Sequence, residues 1–134
     1  MIDRDIAVLA RTLVESRIQA GETHEEETAY RSLCEGLPIL LRTAGLTRAV
    51  TFLDAKKGKD PKKSEHGVLL SHLEQQLKAS GVYSDTQEKT LNLGEYVVSS
   101  GLSMTEYCHL SSLALRVAYW HKRLAQALLR QKED

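Results

Sequence analysis

The 134 residues, 42% hydrophobic and 27% charged, have the composition of one globular domain over residues 1–134, which excludes a disordered chain. The 18 basic and 18 acidic side chains cancel, so any attraction for a polyanion must come from how charge is distributed along the chain. The apolar run Leu37 to Leu41 has Pro38 inside it and falls far short of the ~20 residues that cross a bilayer, which excludes a membrane protein.

Leucine dominates, aromatics are 5%, and valine-rich alternation is scarce. That combination predicts an all-α fold, a compact single-domain bundle of about six helices with a long C-terminal helix. The first helix is expected from Asp3 to Gln19, with Ile2, Ile6, Leu9 and Leu13 on one face and Gly21 closing it. A second begins near Thr23, where Thr23 and Glu26 have capping-box spacing and Glu25, Glu26 and Glu27 sit at the positive end of the helix dipole. Its inner stripe reads Ala29, Tyr30, Leu33 and Leu37. Gly36 and Pro38 interrupt that pattern, so the helix is expected to stop and restart with Pro38 in a new first turn.

Ala44 and Gly45 make a tight corner, and a short third helix follows from Leu46 to about Lys56, burying Leu46, Ala49, Val50 and Leu53. A fourth covers Glu65 to Ser80 with Leu69, Leu70, Leu73 and Leu77 inward and Gly81 at its end. A fifth, capped by Ser84, Asp85 or Thr86, bears Leu91, Tyr96, Val97 and Val98, and is weakened by Asn92 and Gly94. Ser103 and Glu106 cap the last helix, whose apolar residues Leu110, Leu113, Val117, Trp120, Leu124 and Leu128 recur at helical spacing. Its expected length is about four times that of the third.

Charge is banded along these elements. Residues 1–36 hold four arginines against eight carboxylates, a net −4, whereas residues 37–63 set Arg42, Arg48 and five lysines against Asp54 and Asp60, a net +5. Residues 64–109 return to −4, and residues 110–130 to +4 through Arg116, Lys122, Arg123 and Arg130. The lysine-rich run from Lys56 and Lys57 to Lys63 follows directly on an apolar helix, the outline of a surface that binds a polyanion, RNA or DNA before others. Trp120, His121, Lys122 and Arg123 place an aromatic beside three cationic or titratable groups; Trp120 fits the core stripe, and Lys122 and Arg123 fall off it. Tyr30, Tyr107 and Tyr119 read as packing residues with a wet hydroxyl.

Catalytic and metal-binding patterns are absent. His24, His66, His72, His109 and His121 are scattered, no cysteine pair or His-Glu-x-x-His motif occurs, no serine sits in a nucleophile elbow, and the glycines form no phosphate loop. No enzyme activity, metal or cofactor is expected. Cys34 and Cys108 are isolated, which with no signal peptide points to reduced thiols in the cytoplasm.

The segment YRSLCEGLPILLRTAGLTRAVTFLDAK from Tyr30 to Lys56, and LALRVAYWHKRLAQALL from Leu113 to Leu129, together resemble the small subunit of the Cmr complex, the type III-B CRISPR effector. The family's LPxLIRxNGL-like corner reads here as Leu37, Pro38, Leu40, Leu41, Arg42, Gly45 and Leu46, and its W-x-K-R element as Trp120, Lys122 and Arg123. Ala44 stands where the family often carries asparagine. The resemblance implies a non-catalytic, all-helical subunit that stacks in several copies beside the other Cmr subunits, backbone and large, along a groove holding crRNA and target RNA. On charge and exposure, the RNA-facing residues are expected to be Arg42, Arg48, Lys56, Lys57, Arg116, Lys122 and Arg123, touching phosphate and sugar. Glu25, Glu26 and Glu27 are expected at a head-to-tail contact with a neighbouring copy.

Two other readings stay open at this stage. A helix, the Ala44-Gly45 corner and a second helix opening Leu46-Thr47-Arg48 outline a helix-turn-helix DNA-binding regulator, with Thr47, Arg48 and Thr51 facing the major groove. A purely protein-binding helical scaffold would use the lysines for solubility alone.

Overall fold

Helix caps and apolar spacing translate into six helices in the computed structural model, which describes residues 3–19, 23–58, 64–81 and 91–131. They are α1 (Asp3–Gln19), α2 (His24–Ala44), α3 (Leu46–Lys56), α4 (Glu65–Ala79), α5 (Leu93–Tyr96) and α6 (Met104–Leu128), with no strand among the described residues. Thr23 caps α2 and Ser103 caps α6, each in a reciprocal capping box with the glutamate three residues on, as their spacing predicts. Ser64 caps α4 by accepting from the Gly67 amide.

α6 is the central element. It packs along α2 and α1 on two sides and meets α4 on a third, so that Leu110, Leu113, Ala114, Val117, Ala118 and Ala125 face inward. α3 lies across α2, α4 and α5 and buries the four residues its sequence predicts, Leu46, Ala49, Val50 and Leu53. From α4 come Leu69, Leu70, Leu73 and Leu77. Each fully buried leucine contributes about 1.5–3 kcal/mol relative to an exposed one, so this leucine-lined interior is the main source of stability.

Several expectations are corrected. α2 is one continuous helix through Gly36 and Pro38; Pro38 is buried with Leu37 and Leu41, and packing along α6 holds the helix together although Pro38 has no amide to offer the Cys34 carbonyl. The inner stripe of α2 is also rotated from the predicted one: Thr28, Tyr30, Cys34, Leu37 and Leu41 are buried, Leu33 is half-buried and Ala29 is exposed. The fifth helix is a single turn capped by Asn92 in a capping box with Glu95, so Asn92 starts it instead of weakening it. The caps predicted at Ser84, Asp85 or Thr86 lie outside the described residues. α6 has 25 residues to the 11 of α3, a smaller ratio than expected.

A polar seam crosses the interior. The Tyr30 hydroxyl lies 2.6 Å from His72 Nδ1, the Gln76 amide donates to the Ile6 carbonyl at 3.2 Å and lies 3.4 Å from His121 Nε2, and the His72 and His121 rings are 6.2 Å apart. Arg17 of α1 covers the Tyr30 ring with its guanidinium 5.0 Å from the centroid. Burial drives His72 down to about 4, helped by the charge of Arg17, and drives His121 down to about 3, helped by His72, so both rings are neutral at pH 7. Burial likewise pushes the Cys34 thiol up to about 12, an inert core thiol. The wet hydroxyl expected for Tyr30 is therefore a buried one, and His121 is withdrawn from any surface beside Trp120.

Candidate nucleic-acid interface

Gly45 is both the C-terminal cap of α2 and the N-terminal cap of α3, with φ 85° and ψ 168°. Its amide donates to the Leu41 carbonyl and its carbonyl accepts from the Ala49 amide, both at 3.0 Å, so the two helices meet without an intervening loop. Arg42 leaves the last turn of α2 and Arg48 the first turn of α3, and both are exposed.

Two tyrosines of α6 hold this corner. A glycine cap gives α3 no side chain to accept its first amides, and the Tyr107 hydroxyl takes that place: it accepts from the Thr47 amide at 3.1 Å and lies 2.8 Å from the Thr47 hydroxyl. Twelve residues on, the Tyr119 hydroxyl accepts from Arg42 Nη1 at 2.8 Å. Tyr119 lies between Arg116 and Arg123 at spacings of three and four, so all three project from one side of α6 and Arg42 joins them there.

The remaining predicted cations are placed less uniformly. Arg116 is exposed but ion-paired with Asp3 of α1 at 2.6 Å. Arg123 reaches Gln126 at 3.5 Å, and Gln126 in turn donates to Glu35 at 3.2 Å. Lys122 is half-buried. At the far end of α3, about 12 Å of helix rise from Arg48, Lys56 is exposed and Lys57 pairs with Asp54 at 2.7 Å. Solvent-facing pairs of this kind contribute little to stability. Arg42 thus joins α6 through Tyr119, Arg116 and Arg123 issue from that side of α6 with Arg116 tied to α1, and Arg48 and Lys56 lie along α3. Lys59, Lys62 and Lys63 lie outside the described residues.

The three predicted interface glutamates separate. Glu25 is exposed and lines a cleft of about 560 Å³ between α2 and α4 with His24, Ser32, Leu33, Glu65 and His66. Glu26 is occupied as the capping-box partner of Thr23, whose backbone and side-chain hydrogen bonds lower its pKa. Glu27 is buried: burial raises its carboxyl, but hydrogen bonds from the Arg130 amide at 3.0 Å and guanidinium at 2.7 Å, with the Arg130 charge, outweigh that and leave it lowered. Its charge is used inside the chain.

One surface residue escaped the sequence reading. Phe52 is 41% exposed on α3, and its ring meets the His66 ring of α4 edge to face, with centroids 5.9 Å apart at 73°. The signal was the spacing of four that places it between Arg48 and Lys56. Among the described residues no group of three His, Cys, Asp or Glu converges as a metal site would require, and no helix is long and apolar enough to cross a membrane.

The family model for CRISPR-associated protein Cas_Cmr5 matches residues 5–128, from α1 to the last residue of α6. The Cmr subunit Cmr5 of the CRISPR system of Thermus thermophilus is 30% identical over 115 residues, covering 86% of this chain and 88% of that one. The crystal structure of a CRISPR-associated Cmr5 family protein from Thermus thermophilus superposes with a TM-score of 0.71 at 28% identity, over 97% of this chain and 99% of the other. With sequence and helix arrangement agreeing across nearly the full length of both chains, this protein belongs to the Cmr5 family of CRISPR-associated proteins.

Proposed function

We propose that this protein is a non-catalytic small subunit of a type III-B CRISPR RNA-guided effector complex in the cytoplasm. It stacks in several copies beside the backbone and large subunits and holds target RNA against the guide through phosphate contacts. Family membership across all six helices is the observation that carries this reading. The placement of Arg42 and Arg48 on either side of one glycine, with Arg116 and Arg123 on the adjoining face of α6, supports a surface that follows a sugar-phosphate backbone without reading bases. Each copy supplies a few contacts, and stacking converts weak single-copy affinity into avidity. Of the three glutamates Glu25, Glu26 and Glu27, Glu25 is the exposed one and would meet a neighbouring copy. A helix-turn-helix reading is less favoured, because Thr47 is tied to Tyr107 and would have to break that bond to reach a base.

The test is crosslinking of labelled target RNA to the complex reconstituted with guide and partner subunits, across a salt series. Arg42→Glu with Arg48→Glu is expected to lower crosslinking severalfold and flatten its salt dependence. Unchanged crosslinking in a fully assembled complex would leave the protein as a scaffold, and selective binding of one duplex DNA sequence would make it a regulator.

A further inference from the structure

We infer that the outer face of α3 is a stacking platform for one unpaired base of single-stranded RNA, with Phe52 as the platform and Arg48 and Lys56 flanking it. This rests on the RNA-holding reading above and adds to it a base contact that phosphate binding does not require.

Phe52 is the one phenylalanine of the chain, and it has no polar tip that would explain exposure to water. It is nevertheless 41% exposed while its neighbours Ala49, Val50 and Leu53 are buried. The His66 ring of α4 packs against it at 73°. Arg48 and Lys56 lie one helical turn to either side, each about 6 Å away along the axis. Both are exposed, and among the described residues neither holds an ion pair. Asp54 of α3 is paired with Lys57 at 2.7 Å, and Glu65, next in sequence to His66, with Arg17 at 3.7 Å. A cation, an aromatic face and a second cation in line match one nucleotide, its base on the ring and the phosphates on its two sides toward Arg48 and Lys56. Such stacking accepts any base, because every base has a π-face, and so is compatible with a subunit that serves any guide.

The full-length protein would be titrated at low salt with a labelled uridine oligomer and with the same oligomer carrying abasic sites. Phe52→Ala is expected to weaken binding of the uridine oligomer about tenfold and to bind the abasic oligomer like wild type. Phe52→Trp should restore affinity, whereas Phe52→Leu, which keeps the apolar volume and loses the π-face, should not. Arg48→Glu with Lys56→Glu should weaken both oligomers. If Phe52→Ala or Phe52→Leu binds the uridine oligomer like wild type, the platform is refuted while the phosphate contacts stand. If Phe52→Ala alters self-association of the protein and not RNA binding, the ring belongs to a contact between copies and the inference fails. If neither the lone protein nor the reconstituted complex crosslinks RNA through this chain, the RNA-holding reading fails and the platform with it.

Discussion

Gly45 makes the bend through its backbone conformation. At φ 85° and ψ 168° it occupies a region that L side chains rarely adopt, yet a Cβ built there meets nothing within 4 Å. The cost of Gly45→Ala is therefore conformational strain and not a clash, about 1–3 kcal/mol of stability. A urea-unfolding midpoint shifted down by that amount is expected; a variant as stable as wild type would mean the corner can be made another way. Glu27 shows a different economy at the same scale. Its sequence position in a run of three glutamates suggests a surface charge, whereas its carboxylate ties the start of α2 to the chain just beyond α6 through Arg130.

At the scale of elements, α3 depends on α6 for its first turn. Removing the Tyr107 hydroxyl leaves the Thr47 amide without its acceptor, so Tyr107→Phe should cost about 1 kcal/mol and speed amide exchange at Thr47 and Arg48 while leaving the α6 amides protected. Exchange unchanged at those two amides would show that water caps α3 equally well. Such a contact spans sixty residues of sequence and has no local signature, which is why the tyrosines read merely as packing residues. The helices with complete local signals were legible: α1 and α3 match the expected limits, and the caps of α2 and α6 form as spaced. Pro38 misled because the helix-breaking rule is local, while packing against α6 runs the length of α2. Of the candidate site, the basic residues were legible as charges, but the division into free and ion-paired cations depends on Asp3, 113 residues from Arg116, and could not be read from spacing.

For the molecule as a whole, the buried seam makes stability a function of pH. His72 faces Tyr30 from α2, Arg17 from α1 and His121 from α6; His121 faces Gln76 and His72 from α4. Both histidines have folded pKa values below the unfolded value of about 6.5, so in acid the unfolded chain binds protons that the folded chain refuses. Their contribution is complete above pH 6.5 and is lost as pH falls toward 4 for His72 and 3 for His121, at about 1.4 kcal/mol per pH unit for each ring. Urea midpoints should fall steeply between pH 6 and 4.5, and His121→Leu should reduce the slope; a flat profile would mean that the seam admits protons without opening. The one-residue joint at Gly45 bears on the proposed recognition. A flexible basic loop loses roughly 1–2 kcal/mol of backbone entropy for every residue ordered by a ligand, whereas Arg42 and Arg48 issue from rigid helices whose mutual angle is settled when the chain folds. An anion laid across that corner would meet two arginines whose backbone positions are already set, and would be spared that ordering cost.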